Sequence, residues 1–225
     1  MISVENYHLK STSFYESLSS KEKNLIRKHE QRQEYKKGQL LFKESSFAKG
    51  LYIIRKGKVK IFKSTVNGGQ SIVYIYRKGD YFGYRPMLAE DPQPTSAAAM
   101  DSTVISFIPK DIFMNLVNTS ESLAKNMLHT LAKEFSVWIN KMTIFTEYSV
   151  KERVALSLLI LDKIYQREGY SKTIISIGRD DLAGFAGTTK ETAVRNLRLF
   201  KDEGIIKTQG SKILLLKPDL LQNYF

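Results

Sequence analysis

The chain contains no cysteine. That absence removes disulfides, thiol nucleophiles, thiolate zinc sites and cysteine-held iron–sulfur clusters together, and no oxidising compartment is needed. Long apolar runs are missing too. The longest, around Ala155–Leu161 ("ALSLLIL"), is far shorter than the roughly 20 residues of a membrane-spanning helix. The first residues, MISVENYHLK, show no basic segment followed by an apolar one. A cytoplasmic protein with no membrane partner is expected. Histidine is scarce, with His8, His29 and His129 scattered and in no metal-binding spacing. The patterns G-x-S-x-G, G-x-x-x-x-G-K-[ST] and H-E-x-x-H do not occur, and no catalytic residue or metal site is expected.

What the chain does have is length and positive charge. Its 225 residues, 42% of them apolar, are enough for two cores. The formal charge of +12 suits a polyanionic partner. Its distribution is uneven: residues 1–63 carry 15 Lys/Arg against 6 Asp/Glu, residues 64–147 carry 7 against 8, and residues 148–225 carry 13 against 9. Charge alone therefore leaves a merely solvated lysine-rich surface open beside nucleic-acid binding.

From about Gln33 to Phe113 the pattern is short and strand-like, with "QLLFKE", "LYIIRKGKVKIFKS" and "SIVYIYRKGDYFG" punctuated by glycines. A small antiparallel barrel or roll is expected, interrupted at Pro92 and Pro94. The period then changes. Ala124, Leu128, Leu131, Phe135, Trp138, Met142 and Phe145 recur at alternating spacings of 4 and 3. This is a heptad seam on a long helix, flanked by the polar Lys125, Glu134, Asn140 and Lys141. A homodimer interface is the favoured reading, with packing on the chain's own roll as the competitor. "SVKE" (Ser149–Glu152) is a capping box that starts a new helix running to about Arg167, and the break near Tyr148 is a candidate hinge.

The C-terminal stretch "LAGFAGTTKETAVRNLRLFKDEGII" (Leu182–Ile206) reads as two helices joined at Gly187. A second capping box is expected at Thr188–Glu191 ("TTKE"), with Gly204 ending the helix. Ala193, Leu197 and Phe200 form the inward stripe. Lys190, Glu191, Val194 and Arg195 lie near the N-terminus of the other face, where a helix-turn-helix reads bases. Arginine or lysine suits guanine O6 and N7, and glutamate suits cytosine N4. The plainer account is an intrahelical Glu191–Arg195 pair on a solvated face, worth about 0.2–0.5 kcal/mol. "GIIKTQGSKILLLKP" reads as a β-hairpin wing. Arg179 and Thr189 at the helix starts, Arg198 on the second helix, and Lys207 and Lys212 on the wing are the expected phosphate contacts.

In this order of parts the sequence resembles the CRP/FNR family of bacterial transcription regulators. The likeness runs from about Glu34 to Leu216 and rests most specifically on "TTKETAVRNLRLFKDEGII" and on "KGDYFG" (Lys78–Gly83). It implies an α+β chain with three parts. Residues 1–118 would be an antiparallel jelly-roll-like β-roll similar to a cyclic-nucleotide-binding domain, 119–147 a dimerisation helix, and 148–225 a winged helix-turn-helix. It also implies a two-fold symmetric double-stranded DNA operator, contact with RNA polymerase, base reading by Lys190, Glu191 and Arg195, and a phosphate contact at Arg179.

In cyclic-AMP-binding members the roll motif continues into a glutamate for the ribose and an Arg-Ser pair for the cyclic phosphate, with a Thr-Ser pair on the dimer helix. Here Tyr84 follows Gly83, Thr95-Ser96 replaces Arg-Ser, and Trp138-Ile139 replaces Thr-Ser. A threonine hydroxyl cannot supply a bidentate, charge-assisted clamp. Cyclic AMP is therefore not expected to bind in the usual way, and the missing cysteines exclude a cluster of the FNR type. An unknown small-molecule effector remains open, with Gly83, Tyr84, Arg85, Met87, Thr95, Ser96 and Trp138 as candidate pocket residues; so does a pocket that Tyr84 and Trp138 simply fill. A haem or nitric-oxide sensor and a nonspecific DNA-bending protein are the alternatives.

Overall fold

The computed structural model describes residues 3–8, 14–66, 68–166 and 173–225. The chain divides into two compact units, one of Lys10–Lys63 and Val73–Phe135, the other of Met1–Leu9, Ser64–Ile72 and Ser136–Phe225.

The first unit is built on eight strands: β1 (Gln31–Tyr35), β2 (Leu40–Phe42), β3 (Gly50–Lys56), β4 (Lys58–Ser64), β5 (Gln70–Arg77), β6 (Tyr81–Phe82), β7 (Ser96–Ala99) and β8 (Thr103–Pro109). They form two antiparallel four-stranded sheets, in the orders β1-β8-β3-β6 and β2-β7-β4-β5. Small side chains make β7 a strand that can be buried on both faces: Ala97, Ala98 and Ala99 are all inside. The expected roll is present. Helix α1 (Ser20–His29) precedes it, α3 (Lys110–Thr119) and α4 (Glu121–Glu147) follow it, and Phe14, Ile26, Leu51, Phe113, Leu116, Leu123 and Met127 close one core between strands and helices. A short helix, α2 (Arg85–Ala89), follows β6 in a stretch where sequence reading foresaw no helix.

Helix α4 carries two rows. Leu123, Met127, Thr130, Glu134, Val137 and Ile144 are buried at spacings of 4 and 3 and a final double step of 7. The seam expected from sequence is the next row round the helix, where Leu128, Phe135 and Met142 stand 67%, 66% and 63% exposed, joined by Ile139. Ala124, Leu131 and Trp138 are half-buried, and Leu131 packs on the core. Glu134, expected on a polar flank, belongs to the buried row.

In the second unit α5 (Val150–Tyr165) is the central element, buried along the run Val154–Leu161. Its capping box forms as expected, with Ser149 N donating to Glu152 at 2.6 Å and Glu152 N donating to Ser149 Oγ at 3.4 Å. Around it lie α6 (Arg179–Ala186), α7 (Lys190–Asp202), α8 (Pro218–Gln222) and a three-stranded sheet. That sheet has the order β10-β11-β9, from β9 (Ile174–Ser176), β10 (Ile206–Gln209) and β11 (Lys212–Leu215). The end of the α5 helix expected near Arg167 lies outside the described residues; α5 itself closes at Tyr165.

The turn between α6 and α7 depends on Gly187. Its φ of +63° is the left-handed conformation that closes α6. A Cβ there would strike the ring of Phe145, and Arg153 Nη2 donates to its carbonyl at 3.2 Å. Gly187→Ala should therefore cost about 1–3 kcal/mol of stability in denaturant unfolding, from backbone strain and the contact with Phe145 together. A variant as stable as the parent would contradict this account of the turn.

Candidate nucleic-acid interface and effector site

Helix α7 is amphipathic. Ala193, Leu197 and Phe200 are buried, as expected, and so is Asn196, which donates from Nδ2 to Thr192 O at 2.9 Å. Its N-cap differs from the expectation. The helix starts one residue later than a Thr188–Glu191 box requires, so Thr189 is the cap and accepts from Thr192 N at 3.2 Å. That step leaves the Glu191 side chain unused by the cap and turned to solvent.

Lys190, Glu191, Val194, Arg195 and Arg198 share the open face of α7, where Val194 is 44% exposed, and Leu199 further along the helix is 43% exposed. Lys190 Nζ reaches Asp180 at 3.0 Å and Arg198 reaches Asp202 at 4.0 Å, both as solvent-exposed pairs. Pairs of that kind contribute about 0–1 kcal/mol and yield readily to a better partner. Among the described residues, Glu191 and Arg195 do not pair with each other. Lys207 and Lys212 are exposed on the wing, whose tip turns at Gly210. Arg179 is engaged: Nη2 donates to Gly210 O at 2.7 Å and Nη1 is buried without an acceptor. It braces the wing against the start of α6, where sequence reading expected a phosphate contact.

In the first unit the residues singled out for a pocket separate. Tyr84 and Arg85 come together with two tyrosines that sequence reading passed over, Tyr74 and Tyr76, around the carboxylate of Glu134. Tyr84 OH donates to Glu134 Oε2 at 2.8 Å, Tyr76 OH to Oε1 at 3.3 Å, and Arg85 Nε lies 3.2 Å from Oε2. Tyr74 OH donates to the Glu134 carbonyl at 3.4 Å, and the Arg85 guanidinium lies over the Tyr74 ring. One turn earlier on α4, Thr130 and Tyr81 share a hydrogen bond of 3.0 Å. Met87 is core. Ser96 Oγ accepts from Glu44 N at 2.9 Å, and Thr95 beside it is half-buried. Gly83, with φ +90°, lies against the Tyr52 ring. Trp138 belongs to the second unit. His29 and His129 are exposed and His8 half-buried. Among the described residues no three His, Asp or Glu side chains cluster as metal ligands do, and no helix is long and apolar enough to cross a membrane.

Two family models match the chain: the cyclic nucleotide-binding domain over residues 32–120 and the Crp-like helix-turn-helix domain over residues 152–224. The chain belongs to the CRP/FNR family of transcription regulators. It is 24% identical to the cyclic AMP receptor protein of Thermus thermophilus, over 95% of this chain and 97% of that one. It is 25% identical to the fumarate and nitrate reduction regulatory protein of Escherichia coli, over 85% of this chain and 77% of that one. A solved CRP/FNR-family regulator from Eubacterium rectale shares the fold, with a TM-score of 0.77 at 23% identity over 98% and 99% of the two chains.

In this CRP/FNR protein Arg85 faces the Glu134 carboxylate and the Ser96 hydroxyl serves a backbone amide. Burial first, and the Glu134 charge second, hold the phenols of Tyr74, Tyr76 and Tyr84 above the ordinary 10.0. Each raised phenol favours the neutral native state, so its stabilisation is complete below pH 10 and is lost as pH rises above it. The loss is about 1.4 kcal/mol per pH unit for each phenol that ionises only on unfolding. Alkaline unfolding followed by tyrosinate absorbance should thus show a shallower loss of stability in Tyr84→Phe than in the parent. Equal slopes would contradict the assignment.

Proposed function

We propose that this regulator acts as a homodimer on a two-fold symmetric operator, with α7 of each protomer in a major groove. The observation that supports this best is the open face of α7, where basic, acidic and apolar side chains stand together, exposed, near the start of a capped helix. Arg195 and Lys190 are donors for guanine, Glu191 is an acceptor for cytosine N4, and Val194 is an apolar surface for a thymine methyl. Lys207, Lys212, Arg198 and Thr189 provide phosphate contacts, and half-sites should lie about one helical turn apart. Arg179 acts by holding the wing in place. Contact with RNA polymerase follows from the family as the route by which such binding changes transcription.

The dimer reading rests on the exposed row of α4. Three large apolar side chains at a spacing of seven, Leu128, Phe135 and Met142, match the seam of a paired helix and are poor tenants of a solvent face. Phe145 also lies on this row, yet its ring packs against Gly187 and Arg153 and is partly used within its own chain. Phe135→Glu should convert a dimer to a monomer in sedimentation equilibrium while leaving the fold intact by circular dichroism. A parent that sediments as a monomer at the concentrations that bind DNA would refute the dimer.

Base reading is tested by Arg195→Ala on the preferred duplex and on random competitor. The expected loss is about 1–3 kcal/mol on the preferred site, with relaxed selectivity at one base pair and little change on random DNA. An equal loss on both would mean that Arg195 serves only as charge, as in a nonspecific DNA-bending protein.

A further inference from the structure

We propose that Tyr76, Tyr84 and Arg85 form a carboxylate-binding site whose ligand is the chain's own Glu134. The site is filled from within the chain in place of a small-molecule effector.

The donors come from three different places along the roll: Tyr76 from β5, Tyr84 from the turn after β6, and Arg85 from α2. They converge on one side chain of α4. Glu134 Oε2 takes Tyr84 OH at 2.8 Å and Arg85 Nε at 3.2 Å, and Oε1 takes Tyr76 OH at 3.3 Å. Arg85 Nη2 also donates to Tyr76 OH at 3.2 Å, so the donors are linked to each other as well as to the anion. Tyr76, Tyr84 and Glu134 are almost entirely buried. Phenol hydroxyls and a guanidinium are groups that bind anions well when water is excluded, and here each is aimed at the same two oxygens. Placed on a helix, the carboxylate does what a bound acid would do: it ties the roll to the first half of α4. A ligand anion entering the roll would have to displace Glu134 and leave that carboxylate buried without its cation, which is a large cost.

The test uses the full-length chain with Glu134→Ala. Its thermal midpoint should fall by about 5–10 °C. In sodium formate it should regain part of that loss relative to sodium chloride of equal ionic strength, because formate refills the site. The parent, and the double variant Arg85→Met with Glu134→Ala, should show no difference between the two salts. A folded Glu134→Ala with no recovery specific to formate would overturn the proposal. Should that variant not fold, Glu134→Gln is decisive in its place: a midpoint equal to the parent's would overturn the proposal, and a lowered one supports it.

The consequence for regulation rests on the reading of the chain as an operator-binding protein. Cyclic AMP should then change operator affinity by no more than about two-fold, since a ligand that does not favour one state shifts nothing. A tenfold change would overturn self-filling. Failure to bind any operator would instead count against the DNA-binding reading, while the formate experiment would still decide the site.

Discussion

A carboxylate held almost out of water is a liability of several kcal/mol unless its oxygens are occupied and its charge is met. Glu134 is 2% exposed, and its surroundings meet both conditions with two phenols and a guanidinium. Much of the first unit follows from that requirement. β5, the turn after β6 and α2 must deliver Tyr76, Tyr84 and Arg85 to one point, and α4 must present its Glu134 face to them. The apolar residues earlier in the same row, Leu123 and Met127, then complete the core, and the Tyr81–Thr130 bond adds a second polar tie. With that row turned inward, Leu128, Phe135 and Met142 are left outside.

The second unit solves a different problem, which is to hold α7 with one face open, the face proposed above to read DNA. Gly187 sets the turn, Arg153 holds its carbonyl, Thr189 caps α7 and Asn196 is satisfied by its own helix. Arg179 ties the wing tip to the start of α6. With these groups spent on position, Glu191, Val194 and Arg195 remain exposed, and Lys190 is in an exposed ion pair with Asp180 that is readily released.

The helix pair, the wing, the roll and the long helix were legible because each rests on periodicity, capping or glycine placement. The inward row of α4 was not. Thr130 and Glu134 interrupt its apolar pattern, so the regular row beside it looked like the whole signal. The roll's polar centre was half legible. Tyr84 and Arg85 drew attention as departures from the family's nucleotide clamp, but Glu134 lies 50 residues from Tyr84, and only the fold brings them together. The strongest hint lies in "YIYRKGDYFGYR", where four tyrosines, if buried, would each need a partner for a hydroxyl. Arg179 shows the opposite limit. Its position at a helix start suggested a phosphate, and the wing's Gly210 carbonyl takes it first.

If Glu134 fills the roll's anion site, as proposed, the regulator should select DNA by sequence without a ligand. Selection from a random duplex pool by the purified, ligand-free, full-length protein addresses that claim most directly. Enrichment of a two-fold symmetric site is the expected result. Enrichment that occurs only after a cyclic nucleotide is added, or none under any condition, would contradict it.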